Sequence, residues 1–180
     1  MKTFKSILVL AFVIVASISC DSDDDNDTMG SGNGTGSLSY DGNEYALDKG
    51  SLINYGGSGN SFNFDITLGS PSLTLDQFGD FDGTGEVVYF ELWTDQQSGL
   101  KSGTYNFDAS SRSDFTFTIA DVGIGCNQNG TCTFEDAART GSVTINKNGD
   151  SYDLIFNFTT NTGELITGNY NGSLRSFSDI

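Results

Sequence analysis

The sequence predicts an all-β domain of about ten strands: an antiparallel, meander-rich β-sandwich or, as the alternative, a closed β-barrel. Three observations carry this expectation. From Ser37 onward apolar residues recur with a period of two. Tight-turn residues separate the alternating runs. The 180 residues include 23 glycines, one proline and 12% aromatics, a composition that favours strands joined by short turns over helices.

The elements follow in chain order. Asp41-Gly42-Asn43 links a run at 38–40 to one at 45–47. Phe62, Phe64, Ile66 and Leu68 alternate with Asn63, Asp65 and Thr67. Over 86–94, Val88, Phe90 and Leu92 form one face, and Val87, Tyr89, Glu91 and Trp93 the other. Phe115, Phe117 and Ile119 alternate with Asp114, Thr116 and Thr118. Residues 133–139 allow one helical turn at most. The last 35 residues read as a three-stranded meander, 142–146, 152–159 and 165–174. Asn148-Gly149 is a strong hairpin signal and predicts a type I′ turn, which needs positive φ at both central residues. In the final strand Ile166, Tyr170 and Leu174 share a face with Gly168 and Gly172, which predicts close packing or a bend there. Each strand has one apolar and one wet face, as an antiparallel sheet covering a single core requires.

Charge excludes several functions. There are 24 acidic residues, 8 basic ones and no histidine, for a net charge of −16. Such a chain has no electrostatic footprint for nucleic acid or an anionic membrane surface. Without imidazole there is no His-ligated metal and no Ser-His-Asp triad.

Lys2 and Lys5 precede an unbroken apolar run from 7 to 16. A helix of that length reaches about 15 Å, half of a ~30 Å hydrocarbon core. Residues 1–19 therefore read as a signal peptide and not as a membrane span. The run ends in Ser17-Ile18-Ser19-Cys20, which resembles a bacterial lipobox, although position 17 lacks the usual Leu. The resemblance implies lipidation of Cys20. Each buried CH2 of a lipid chain contributes ~0.8 kcal/mol, so two or three chains hold a domain at a bilayer. Ordinary secretory cleavage, with Cys20 a spare thiol, is the alternative.

Five aspartates follow among residues 21–27. They read either as a solvated spacer or as an address. The second reading rests on resemblance to the surface-export signal of Bacteroidota outer-membrane lipoproteins, which implies a domain facing the cell exterior. Asp27-Thr28-Met29 resembles the O-glycosylation site of the same bacteria and makes Thr28 a candidate acceptor. The glycine-rich stretch 30–36 completes a flexible tether over 20–36, with a reach of ~20–25 Å. The single β domain is expected over 37–180. Tyr45-Ala46-Leu47-Asp48-Lys49-Gly50, Tyr55-Gly56, Leu100, Gly103-Thr104-Tyr105, the stretch 141–145 and the closing stretch 166–172 resemble recurring patterns in small Bacteroidota lipoproteins of unknown function. These are turn and core positions. The resemblance implies fold and address and brings no catalytic residue with it.

Three constellations have chemical content. Cys126 and Cys132 flank a turn-rich pentapeptide, and in an oxidising envelope they read as a structural disulfide. Their spacing does not fit a Cys-x-x-Cys metal or redox pair. Asp76, Asp80, Asp82 and Glu86 lie among glycines and form a candidate calcium loop, since calcium takes roughly six to eight hard oxygens. They miss the EF-hand register, and a plain acidic surface loop is the alternative. No other cofactor is implied. Tyr89, Glu91 and Trp93 share a strand face, where aromatics flanking a carboxylate suit a sugar ring. The alternative is a strand covered on both faces.

The expected function is a lipid-anchored, cell-surface protein with a non-enzymatic binding or structural role. Its expected partners are the membrane, through the anchor, and a glycan or another surface protein. A carbohydrate-binding accessory module of a glycan-uptake system is the first rival. A glycan hydrolase built on two carboxylates is the second, with no pair singled out by motif.

Overall fold

The computed structural model describes residues 32–178. The leader, Cys20, the acidic run and Thr28 lie outside these residues. The chain forms β1 (Asn33–Tyr40), β2 (Asn43–Ser58), β3 (Ser61–Gly69), β4 (Leu73–Leu75), β5 (Phe81–Gly83), β6 (Gly85–Thr94), β7 (Gly103–Phe107), β8 (Thr116–Cys126), β9 (Phe134–Asn148), β10 (Ser151–Thr160), β11 (Leu165–Ser173) and β12 (Arg175–Ser178). No helix occurs among the described residues. The stretch that allowed one helical turn instead opens β9, whose first four residues pair with β8.

Eight strands pair in a cycle. β1 pairs with β2, β2 with β3, β3 with β6, β6 with β8, β8 with β9, β9 with β10, β10 with β11, and β11 with β1, every pair antiparallel. The ladders thus close into a ring. The sequence left sandwich and closed forms open, and this pattern carries the closure. At the end where the chain enters, two short strands complete the ring. β7 lies between β8 and β9. β12 continues β11 and runs parallel along β2 beyond the start of β1.

The hairpins fit their residues. Asp41 (φ 48°) and Gly42 (φ 72°) are both left-handed, as a type I′ turn requires. The Asn148-Gly149 expectation needs correction. Asn148 pairs with Ser151, so Gly149-Asp150 is the loop. Positive φ falls on Gly149 alone, the arrangement of a type II′ turn with glycine first.

The ring is apolar inside. Leu38, Leu47, Ile66, Phe90, Phe117, Val143, Phe156, Phe158, Ile166 and Tyr170 are buried in one cluster. Eight strands enclose a space that side chains fill, and aromatics do most of the filling here. Phe90 sits among Phe117, Phe156 and Phe158 at centroid distances of 6.0, 5.4 and 6.1 Å. The outside is mostly polar over β1, β10 and β11, where Ser37, Ser39, Asn157, Thr167 and Asn169 line a shallow hollow, with Ile155 and Leu165 exposed on the same strands. No described helix is long and apolar enough to cross a membrane.

Glycines decide where backbones touch. A Cβ at Gly34 would lie 2.5 Å from the Tyr170 ring, one at Gly36 2.2 Å from Asn169 O, and one at Gly168 2.3 Å from the Phe156 ring. Residues 33–36, expected as the end of a flexible tether, are therefore strand. Their glycines permit close approach of β1 to β11.

At the far end Cys126 and Cys132 form the expected disulfide. A loop this short contributes about 2 kcal/mol in the chain-entropy model. Nearby, the Thr162 hydroxyl and amide donate to the Asp136 carboxylate at 2.6 and 2.9 Å and hold it down at about 2. That contact ties the β10–β11 turn to β9.

The packing makes a quantitative prediction. Phe90→Ala leaves a cavity among three rings and costs about 3–5 kcal/mol of unfolding free energy. Guanidinium denaturation checks it. A loss under about 1 kcal/mol, the size of an ordinary surface change, would contradict the central role of this ring.

Candidate functional site

Outward-facing residues of β3, β6 and β8 form the candidate site. The register sets Trp93 opposite Asn63, Glu91 opposite Asp65, and Tyr89 opposite Thr67. On the other flank, Tyr89 faces Asp121 and Glu91 faces Ile119. A bulge in β8 at this level turns Thr118 outward as an extra hydroxyl.

The three residues singled out from the sequence are indeed side by side, but they are not freely exposed. Tyr89 and Glu91 are half-buried, and Trp93 is buried at 9% exposure. Their polar atoms are engaged within the protein. Trp93 Nε1 donates to Thr118 Oγ1 at 2.9 Å. Thr118 in turn donates to Glu91 Oε1. The Tyr89 hydroxyl donates to Asp65 Oδ2. Asn63 Nδ2 donates to Asp65 Oδ1 at 3.0 Å.

Asp65 is 7% exposed on an otherwise wet face. Burial pushes its carboxyl up to about 6, against the opposing pull of Tyr89 and Asn63, and the nearby Glu91 charge adds to the rise. Burial raises the Tyr89 phenol too, reinforced by its bond to Asp65. Asp121 is also raised, first by burial and then by Glu135 and Asp136.

Arg112 covers Trp93. Its guanidinium carbon is 5.0 Å from the indole centroid. It stands on the β7–β8 loop, which is held at three points, two of them on its backbone. Ser61 Oγ donates to Arg112 O at 2.7 Å. Thr116 Oγ1 donates to Ser113 O at 2.7 Å. Lys101 bridges Asp95 and Asp114. The loop is pinned while the Arg112 side chain is exposed. Two hollows meet at that side chain. One, of about 630 Å³, lies among Tyr55, Gly57, Ser61, Asn63 and Trp93. The other, of about 550 Å³, lies against Glu91, Ser110, Thr118 and Ile119.

The candidate calcium residues do not converge. No group of three His, Cys, Asp or Glu suited to a metal occurs among the described residues. Asp76 caps its own loop. Its Oδ1 accepts the amides of Phe78 and Asp80 at 2.8 and 3.0 Å, and those bonds hold its carboxyl below the usual range. The segment folds instead as a flap of β4 and β5 over the outside of β2 and β3. Phe81 lies on bare Gly69, and Phe177 and Ile53 pack beside Gly79.

Sequence reasoning missed Asp65, Tyr55, Thr118 and Arg112. Asp65 had a signal, since it falls in the outward set with Asn63. A lone arginine in a polar loop had none. No protein-family model matches the chain, and no curated protein or solved structure matches it either. The likeness to small Bacteroidota lipoproteins therefore stands on the sequence motifs alone.

Asp65 makes stability depend on pH. Its native carboxyl sits at about 6 against an ordinary 3.8, so between these values the native state holds a proton that the unfolded chain has lost. Its contribution is full at low pH, falls as pH rises from about 4 to about 6, and above that amounts to a loss of about 2–3 kcal/mol. Asp65→Asn removes this term and flattens the corresponding segment of the stability curve. Urea unfolding of both proteins at pH 4.5 and 7.5 checks it; equal pH slopes would refute the assignment.

Proposed function

We propose that this chain is a lipid-anchored protein displayed on the outer membrane, without enzymatic activity, that binds carbohydrate on the face built by Trp93, Arg112, Glu91 and Tyr55. One observation carries the reading. The outer face of the ring gathers two tyrosines, a tryptophan, two carboxylates and a guanidinium at a single place flanked by two hollows. Aromatic faces stack on sugar rings, and carboxylate and amide groups take up sugar hydroxyls. With its backbone pinned, Arg112 moves by its side chain, and that movement uncovers the side of Trp93 that the guanidinium covers. The displaced guanidinium, with its five donors, is then free for hydroxyl oxygens of the ligand.

The hydrolase reading has two marks in its favour: Asp65 and Glu91 are cross-strand neighbours, and Asp65 titrates high. It fails on presentation. Both Asp65 oxygens accept bonds from Tyr89 and Asn63, and Asp65 lines neither hollow. A general acid must reach the bond that it protonates.

The binding reading predicts a signal on a glycan array that falls at least about tenfold in Trp93→Ala and Tyr55→Ala, roughly 1.4 kcal/mol. Tyr55 is 44% exposed, so its variant is not expected to disturb folding. A silent array, or variants that bind like the parent, would end this reading. The anchor is tested separately by intact mass of the mature protein from native membranes. Lipid increments on Cys20 are expected, and a bare thiol would contradict them.

A further inference from the structure

A second concavity opens at the end of the ring where the chain enters. It has about 300 Å³ of space, the lower end of the range for small-molecule sites. Leu52, Phe64 and Tyr152 form its floor, and Lys147, Gly99 and Ser176 belong to its rim. The floor is the exposed end of the core cluster itself, so the hollow is a mouth of the ring rather than a surface dent.

Its charge runs against that of the molecule. The chain has 24 acidic and 8 basic side chains, yet none of the residues lining this mouth is acidic and one is a lysine. Lys147 has no carboxylate within ion-pair distance among the described residues. Its ammonium lies 5.4 Å from the Tyr152 ring centroid, and its backbone is fixed by the bond from its amide to Ser102 Oγ at 2.9 Å. Gly99 keeps the space beside it open. A Cβ there would meet only the Lys147 ammonium, at 3.5 Å.

An apolar floor beneath one unpaired cation selects for a matching ligand. We infer that the ring mouth binds a small monoanion with a compact apolar body, such as a medium-chain carboxylate. The hydrocarbon part lies on Leu52, Phe64 and Tyr152, and the carboxylate pairs with Lys147. This site is on a different part of the molecule from the Trp93 face and does not rest on that reading.

The test is a titration of the mature chain with octanoate, kept below its micellar concentration and followed by amide chemical shifts. Octan-1-ol supplies the body without the charge, and acetate the charge without the body. Saturable shifts confined to residues such as Ser98, Gly99, Lys147 and Tyr152 are expected with octanoate, and weaker ones with either control. Lys147→Gln should weaken octanoate at least about tenfold and leave octan-1-ol unchanged, while Lys147→Arg restores octanoate. Lys147 is exposed, so these variants keep the fold. Absent or scattered shifts, octanoate no tighter than both controls, or a Lys147→Gln variant that binds octanoate like the parent would each overturn the inference.

Discussion

Closure of the ring depends on bare backbone where β1 meets β11. Gly34 and Gly36 on one strand face the Tyr170 ring and the Asn169 carbonyl on the other, and Gly168 lies beneath the Phe156 ring. Side chains at these points would hold the first and last long strands apart. The sheet would then have two free edges with unpaired amides and carbonyls, which invite pairing with other chains. With glycine there, the last ladder forms and the core is sealed. Glycine has a large entropic cost in a strand, and here the ladder and the buried aromatics offset it.

A sealed and filled ring limits where function can lie. Phe90, Phe117, Phe156 and Phe158 occupy the space that a wider barrel would leave for a ligand. What is left is the outer surface and the ends. On the outer surface, β3, β6 and β8 carry the clustered aromatic and charged side chains. At the ends, the disulfide loop and the Asp136–Thr162 contact fasten one pole. At the other, β12 and the β9–β10 hairpin stand apart around Lys147. The two ends therefore differ in kind: one is tied down by covalent and charge-assisted bonds, and the other is open over apolar floor.

Much of this was legible in the sequence, and for a clear reason. Period-two alternation reports which face is buried, so the cores of β3, β6, β9, β10 and β11 could be read directly. In β8 the bulge at Thr118 breaks the alternation: Ile119, expected beside Phe117 on the apolar face, is 40% exposed, and Ala120, Val122 and Ile124 are buried instead. The disulfide followed from spacing and compartment. Other features failed where one composition serves two physical roles. The stretch 33–36 looked like a linker because flexible chains and close-packed strands both use glycine. Asn-Gly suggested a type I′ turn, but the cross-strand pair Asn148–Ser151 moved the loop by one residue and changed its type. Acidic residues from 76 to 86 fit by composition both a calcium loop and a plain surface loop, and Asp76 caps its own loop. The candidate face was half legible. Tyr89, Glu91 and Trp93 share a strand, so their spacing shows. Asp65, Thr118, Tyr55 and Arg112 come from three other strands and a loop, and only tertiary pairing joins them.

Asp65 is the informative member of that group. A carboxyl taken out of water on the outer face of a sheet lowers stability once it ionises, and a threonine or asparagine there would avoid the cost. Its bonds show what it supplies. Asp65 fixes the Tyr89 hydroxyl, while Thr118 fixes both the indole nitrogen and one Glu91 oxygen. Tyr89 and Trp93 are thus each held by a polar partner, while the Arg112 guanidinium has no such bond among the described residues. Inside the ring, too, the buried Tyr105 and Tyr170 donate their hydroxyls, to Lys101 O and Ser173 O. On the outer face the same device gives a rigid aromatic floor, and under the proposed binding reading that rigidity reduces the entropy lost on binding. Under that reading, the cost of one buried acid is part of the preparation.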